Sequence, residues 1–590
     1  MHASTDLDAA AKPANSILAA VCSPLAALAL ALVLLSLLLT VTIPQPIGPM
    51  FWDHYLYLDA ANRLGDGQIP SVDFFAPVGA LGYYLFAALQ SAFPSGHPLL
   101  LASWCLLVVT GPLIGLVTFD LQKRSRTLAY AILLPFLLFS VLPFNTGDFY
   151  PYPGSDGFGI YNRQVCQLLY VLAAALIYVR NPRILIAVAA GAMIALFFVK
   201  VTGAVAGVIL CLMAFAAGRL SLRSAVVAAL IFFGILAVIE LSIGAVSAYV
   251  GDILALLDVN DGILLTRLLQ AVSLNAGLLV PASVLCLTLF FADRPTFVSL
   301  LEDAYRRPSI AALGRVFDQD FFWLGTFVVA GILFESQNTG SQAFIFLYPL
   351  LLRIALDYAT KGKGKRLTIA VWLLAIAAAL PPMTVVVQKS ARAWVGAANN
   401  IRIESRNLKT MGAVNVRPIV AARAERMRNT YITEPGAFKA LADQGELPSF
   451  LFYSDFDFQA GWLTNVDNAI DALRAYEDAN GVRFDTIFNI DFANPFPWLM
   501  DRHAPKHVAI GADPFRAIPE PDQDVRIAVA AVDIALVPTC PTTNVNRTLL
   551  ALYLPSLEAG HTRIKLTPCY DAFVRNGLNA GSSGAAATGS

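Results

Sequence analysis

Hydrophobic and polar positions alternate on two scales along this chain. Up to residue 387, apolar runs of roughly 17–25 residues are separated by short polar breaks, and runs of that length match the core of a bilayer. They fall at 17–43, 77–93, 98–119, 127–143, 163–179, 184–199, 201–217, 225–248, 271–292, 319–334, 343–359 and 367–387. Beyond residue 388 the apolar runs shorten to strand length, at Phe450–Tyr453, Thr486–Ile490, His507–Ile510, Ile527–Val537 and Arg563–Leu566. A helical pattern intervenes at Asp467–Asp478, with Ile470, Leu473 and Tyr476 on one face. The pattern predicts a polytopic α-helical membrane protein with a C-terminal soluble α/β domain and a mainly parallel sheet.

Lysine and arginine orient the spans, because loops rich in them stay in the cytoplasm. Lys123, Arg124 and Arg126 mark one such loop, Arg180 and Arg183 a second, and Arg219 and Arg223 a third. Arg306, Arg307 and Arg315, then Lys361 to Arg366, complete the series. Consistency requires one run not to cross. The run 77–93 opens with Pro77, contains Gly79 and Gly82, and carries the Tyr83-Tyr84 pair, so it is expected to lie along the interface. About eleven transmembrane helices remain, with 44–97, 144–162, 249–270, 335–342 and everything from 388 outside. The domain division is a membrane domain over 1–387, a basic linker over 388–430, a periplasmic α/β domain over 431–575 and a disordered tail over 576–590. The expected location is a bacterial inner membrane. The basic run from Lys389 to Arg428 sits outside against the charge rule, which large translocated domains largely escape.

Composition agrees with a membrane protein: 57% hydrophobic, 14% charged, mean hydropathy +0.63. The formal net charge of zero gives no case for nucleic-acid binding. No cysteine pair has a CxxC spacing, which argues against a zinc site. Cys540 and Cys569 alone fall in the soluble part, where an oxidising compartment permits a disulfide.

Candidate chemistry concentrates in the outer loops. Pro49–Gly79 follows the first span and sets Asp53, Asp59, Asp73 and His54 among Trp52, Tyr55, Tyr57, Phe74 and Phe75. Carboxylates so near a bilayer are costly unless solvated or employed; an ordinary polar loop is the plain alternative. The second outer loop, Asn145–Arg163, adds Asp148, Asp156, Tyr150, Tyr152, Tyr161 and Arg163. It is either half of a cavity for a sugar or a cation, or a Pro/Gly-rich turn whose aspartates satisfy backbone donors. Lys200 either snorkels to the interface or joins Arg163 on a phosphate. Glu335 to Gln342, with Gln337, either lines the same cavity or closes a turn. Substrate contacts are therefore expected from His54, Tyr57, Asp73, Tyr152, Tyr161, Arg163, Lys200, Glu335 and Gln337. Asp148 and Asp156 are the candidate ligands of a magnesium or manganese ion.

The order of these features resembles the GT-C integral membrane glycosyltransferases over roughly residues 17–220. The first span runs at once into an Asp-containing outer loop, and Asp73-Phe-Phe-Ala-Pro-Val-Gly79 leads into a helix carrying paired tyrosines. The second loop is similar to the acidic second loop of oligosaccharyltransferase catalytic subunits, and a soluble C-terminal domain is a further likeness. Bacterial aminoarabinose and protein-mannosyl transferases are nearest in style. The resemblance implies that Asp53 matches the catalytic first-loop aspartate and accepts the proton of an acceptor hydroxyl. It also implies a polyprenyl-phosphate-linked hexosyl or pentosyl donor, a glycan, lipid or protein acceptor, and inversion at the anomeric carbon. Two departures stand out: Asp53-His54 replaces an Asp-Glu pair, and the soluble part has no Trp-Trp-Asp motif, which argues against asparagine-linked protein glycosylation. A transporter or flippase, and a ligase or polymerase of lipid-linked glycan, are the alternative function classes.

Overall fold

The computed structural model describes residues 23–578 except 52, 77, 148–152, 260–263, 339, 361, 363, 448–451, 453 and 454. Local chemistry starts several of its helices. Ser23 and Asn181 accept hydrogen bonds from the first-turn amides Ala26 N (3.2 Å) and Arg183 N (3.0 Å), and Pro24 and Pro182 open the helices they cap. A proline in the first turn forfeits only an amide that has no intrahelical partner.

Each of the eleven expected spans carries a helix, but the helices differ in length. Among the described residues, six are long and apolar enough to cross a membrane: Pro98–Gln122, Ile160–Tyr178, Pro182–Val199, Leu222–Ile243, Ala276–Arg306 and Lys365–Asn399. A seventh is added if Ile310–Phe317 and Asp320–Glu335, bent by 70°, make one span. Pro24–Leu39, Arg126–Val141 and Val201–Ala216 are apolar but shorter. The helix within 77–93 covers only Leu81–Ala92, about 18 Å of rise, well short of a bilayer core.

The helix Ile160–Tyr178 is the axis of the bundle and is buried along nearly its whole length. It packs on Pro182–Val199, Val201–Ala216 and Leu107–Gln122. Leu222–Ile243 is its opposite, burying only Ser224 and leaving Leu230 68% and Leu241 88% exposed. An apolar helix with so little protein cover needs hydrocarbon around it.

The C-terminal region departs from the expected sheet. Its four strands β4 (Ile487–Asn489), β5 (Ile534–Pro538), β6 (His561–Thr567) and β7 (Tyr570–Arg575) stand in the order β4-β5-β7-β6. Only β4–β5 is parallel; β5–β7 and β6–β7 are antiparallel, because a short turn after Thr567 folds β7 straight back on β6. The run Ile527–Val537 divides into the end of the helix Gln523–Ala530 and strand β5, since a short apolar run fits either form. His507–Ile510 forms no strand of either sheet; His507 makes an isolated parallel bridge to Phe74. Phe450–Tyr453 lies almost wholly outside the described residues. A Cys540–Cys569 disulfide ties the end of β5 to the β6–β7 turn.

The stretch expected as a basic linker is folded. Its first residues complete the long helix Lys365–Gly396, and Pro418–Thr433 packs on the helix Phe456–Asn480. Between them β2 (Ile401–Arg402) and β3 (Val414–Val416) form a small sheet, in which β3 pairs in parallel with β1 (Gln45–Pro46) just after the first span. One continuous apolar core runs from the bundle into the extramembrane region, where Tyr55 stacks on Trp462 at 5.3 Å between centroids. The extramembrane region is packed against the first outer loop, not tethered to it.

Candidate functional site

Asp53 is the first residue of the helix Asp53–Gly65, where the helix dipole favours a carboxylate. Three segments converge around it. Gly48 meets the backbone of Gly154 and Ser155 so closely that a Cβ there would stand 2.1 Å from the Ser155 carbonyl oxygen. Gly157 abuts Phe51 in the same way, with 2.3 Å to its Cα. These approaches exclude any side chain, so glycine at 48, 154 and 157 is what lets the first and second outer loops lie backbone to backbone. Gln459, from the extramembrane region, clamps the first loop: its Oε1 accepts Phe51 N at 2.6 Å and its Nε2 donates to Gly48 O at 3.1 Å.

The join brings Gly159 N to Asp53, whose Oδ2 accepts it at 3.2 Å. Gly159 adopts φ 66° and caps the axial helix. Asp53 is partly buried. Burial pushes its pKa up to about 7, and the Gly159 amide and the Arg163 charge hold it from rising further. Tyr161 and Tyr83 lie within electrostatic reach of Asp53, and the Tyr57 hydroxyl is placed to feel both Tyr161 and Arg163. Tyr57 itself packs on Tyr83 and Phe86, with ring centroids 5.2 and 5.6 Å away.

Arg163 does not face an open cavity. It is buried, and its guanidinium donates to Asn145 Oδ1 (3.2 Å), Phe158 O (3.0 Å) and Asp156 O (3.4 Å). It braces the second loop from within and contributes its charge to Asp53, in place of the phosphate contact expected of it. His54 is likewise a wall: it is fully buried between Phe51 (4.7 Å), Tyr55 (4.2 Å) and His97 (5.9 Å), with neither ring nitrogen in a well-formed hydrogen bond. Burial, then the nearby His97, hold it well below the usual histidine range and keep it neutral, although the Phe51 backbone pulls the other way. Asp73 turns away from the site. Its carboxylate accepts Ile69 N at 2.8 Å and pairs with Lys506 at 3.3 Å, shaping its own turn and holding the extramembrane region. Asp59 serves the same junction through Arg63 (2.9 Å), which also donates to Pro505 O at 2.6 Å.

Asp156 does not suit a metal ion. Its Oδ2 accepts Asn145 N at 2.6 Å, and the Lys389 ammonium stands 3.9 Å away while bonding the carbonyls of Asn145 and Gly147. A cation there would displace a hydrogen bond and meet a like charge. Among the described residues no three His, Cys, Asp or Glu side chains gather as a metal would require. Asp148 and Tyr152 lie outside the described residues.

A second cationic group gathers beside Tyr161, with a different membership from the one expected. Lys200, at the junction of two helices, donates to Asn162 Oδ1 (2.9 Å), Gln337 O (3.1 Å) and Asn338 Oδ1, and sits 5.1 Å from the Tyr161 ring. Arg267, on the helix Leu264–Leu274, reaches the same Gln337 through its Oε1 at 3.4 Å. Glu335 stands behind, with both carboxylate oxygens accepting the Ser341 hydroxyl at 2.9 and 2.8 Å. Gln337 and Glu335 thus organise the cations. Sequence reasoning missed Arg267, although it is the sole charge on an amphipathic helix. It also missed Gln459, for which no local signal exists.

The class defined by this architecture is a polytopic membrane protein whose outer loops and extramembrane region close around the carboxylate of Asp53, which feels the charge of Arg163. No family model matches the sequence, and no curated protein matches it. Among solved structures, the chain is similar to ArnT from Cupriavidus metallidurans bound to undecaprenyl phosphate, at 12% identity and a TM-score of 0.36, over 94% of this chain and 99% of that one. It is also similar to the oligosaccharyltransferase AglB from Archaeoglobus fulgidus, at 12% identity and a TM-score of 0.27, over 95% of this chain and 75% of that one. Superpositions this loose decide neither fold nor activity, so the functional reading rests on the site itself.

Proposed function

We propose that this chain is a membrane glycosyltransferase of the GT-C type, moving a sugar from a polyprenyl-phosphate-linked donor to a cell-envelope acceptor on the periplasmic side, with inversion. The observation that carries the reading is Asp53: a partly buried carboxylate, held by the Gly159 amide, with a pKa of about 7, while Lys200 stands on the ring of Tyr161, which itself feels the Asp53 charge. A base works best with a pKa near the working pH, and cations near a departing phosphate stabilise the charge it gains.

The acceptor hydroxyl oxygen attacks the anomeric carbon from the face opposite the phosphate. Its proton passes to Asp53 as the new C–O bond forms. The bond from the anomeric carbon to the phosphate oxygen breaks, and the polyprenyl phosphate leaves with the electron pair. Lys200 and Arg267 hold that charge, with Lys200 exchanging one of its neutral acceptors for a phosphate oxygen. Tyr57, Tyr83 and Tyr161 give the sugar aromatic and hydroxyl contacts. No step is assigned to a metal.

Turnover of a panel of polyprenyl-phosphate sugars by the full chain in nanodiscs, with the anomer identified by NMR, tests the proposal. Transfer with inversion is expected. Retention, or no transfer by folded protein while labelled lipid crosses the bilayer, refutes it and favours a flippase.

A further inference from the structure

We propose that the extramembrane region supplies Arg516 as a third cation of the lipid-phosphate site, over Lys200 and Arg267, so that the site is complete only when that region is docked. This rests on the donor reading above. The placement is built by hydrogen bonds on both sides of the 73–76 loop. On one side His507 N donates to Asp73 O and Ile510 N donates to Phe75 O at 3.1 Å. On the other, Asp252 Oδ2 accepts Ala76 N at 3.4 Å, and three residues earlier on that helix Tyr249 accepts Val201 N at 3.2 Å, beside Lys200. The short loop is therefore all that separates the extramembrane segment from the helix that adjoins the cations.

From Ile510 the chain enters a turn set by Asp513. Its Oδ1 accepts Phe515 N at 3.0 Å, its carbonyl accepts Arg516 N at 3.2 Å and Ala517 N at 2.8 Å, and its Oδ2 lies 3.5 Å from Arg516 Nε. The turn presents Arg516 within Coulombic reach of both Tyr161 and Arg267. Arg516 repels Arg267 and Arg267 repels Lys200, and an anion shared among them reverses that repulsion. A guanidinium fork suits phosphate oxygens. Phe515, next in the turn and 52% exposed, adds an apolar flank that inorganic phosphate cannot use and a polyprenyl chain can.

The test titrates undecaprenyl phosphate onto the full chain in nanodiscs at two salt concentrations, with native mass spectrometry as readout. Arg516→Ala should raise the Kd about ten- to a hundredfold at low salt, the worth of one charge-assisted hydrogen bond, and flatten the salt dependence. Arg516→Lys should recover part of the loss, whereas Arg563→Ala, an exposed arginine on β6, should bind like wild type. A Kd unchanged in Arg516→Ala, with Lys200→Ala and Arg267→Ala both weakened, overturns the role of Arg516 and leaves the proposed function standing. Failure of folded wild type to bind the lipid overturns both. Displacement of the lipid by an equal concentration of inorganic phosphate would make this a plain anion site and overturn the lipid assignment.

Discussion

Asp53→Asn separates catalysis from folding more sharply than any other change. The side chain keeps its size and an oxygen to accept Gly159 N, but loses its basicity and its charge. Removing a general base costs about 10²–10⁴ in rate. In wild type, with Asp53 at about 7, kcat/KM should fall tenfold per pH unit below neutrality, because the base must be ionised. Stability should move the other way. The folded protein keeps the Asp53 proton up to about pH 7, whereas the unfolded chain releases it near 3.8. The folded state therefore binds more protons between those values, and stability declines as pH rises through that window and stays low above it. Holding the proton across that window corresponds to about 4 kcal/mol, at about 1.36 kcal/mol for each pH unit crossed. Asp53 is partly exposed, so solvent screening makes this figure an upper bound. Asp53→Asn should be inactive and more heat-stable than wild type at pH 8, with the gap closing by pH 4. Turnover with a polyprenyl-phosphate sugar and thermal unfolding at both pH values check this. A variant as active as wild type removes the base assignment; one that is inactive but less stable at pH 8 shows a structural carboxylate instead.

Three further changes distinguish bracing from substrate contact. Arg163→Ala leaves Asn145 Oδ1 without the donor it has, and Phe158 O with Asn145 Nδ2 in place of two donors, so it should cost about 1–3 kcal/mol in unfolding free energy, read by denaturant titration; a raised donor KM at unchanged stability would contradict the bracing role. Lys200→Met removes a charge from the leaving phosphate and should lower kcat about 10²-fold, measured in single turnover, whereas an effect confined to KM would refute transition-state stabilisation. Gly157→Ala drives a Cβ into the Phe51 backbone, parting the two loops; a loss of at least tenfold in kcat/KM is expected, and wild-type kinetics would show the join to be unimportant.

The spans were legible because a bilayer demands long apolar runs, and that demand is written locally. The position of Asp53 was legible for a similar reason, as a carboxylate just past a span; its role stays a proposal. The roles of its neighbours were not. Arg163 and Asp73 look like ligands in sequence because each is a charge in an outer loop. Arg163 is taken up by Asn145 and Phe158 of its own loop, which only the folded loop brings onto its guanidinium, and Asp73 by Lys506, far along the chain. Arg267 escaped notice because a lone arginine on an amphipathic helix reads as an ordinary polar face. The mixed sheet was misjudged because apolar run length reports burial and not strand direction; the β6–β7 hairpin is visible only in its pairing.

The basic run 389–428, which fits poorly with its expected side of the membrane, acquires a reason in the fold. Lys389 holds the second loop through the carbonyls of Asn145 and Gly147, Lys409 pairs with Asp501 at 2.6 Å, and Arg423 pairs with Asp457 at 3.3 Å. These charges fasten the long helix Lys365–Gly396 and the segments after it to the outer loops and the extramembrane region. Gln459 and Trp462 fasten that region in turn to Gly48, Phe51 and Tyr55, within a few residues of Asp53. The amide held against Asp53 comes from the second loop, and the first loop's backbone is clamped from the extramembrane side. The environment that sets the Asp53 pKa therefore exists only when all three segments are assembled. Under the proposed function, this assembly readies the base at neutral pH only once all three segments are in place, so no partial site meets a lipid-linked donor beforehand.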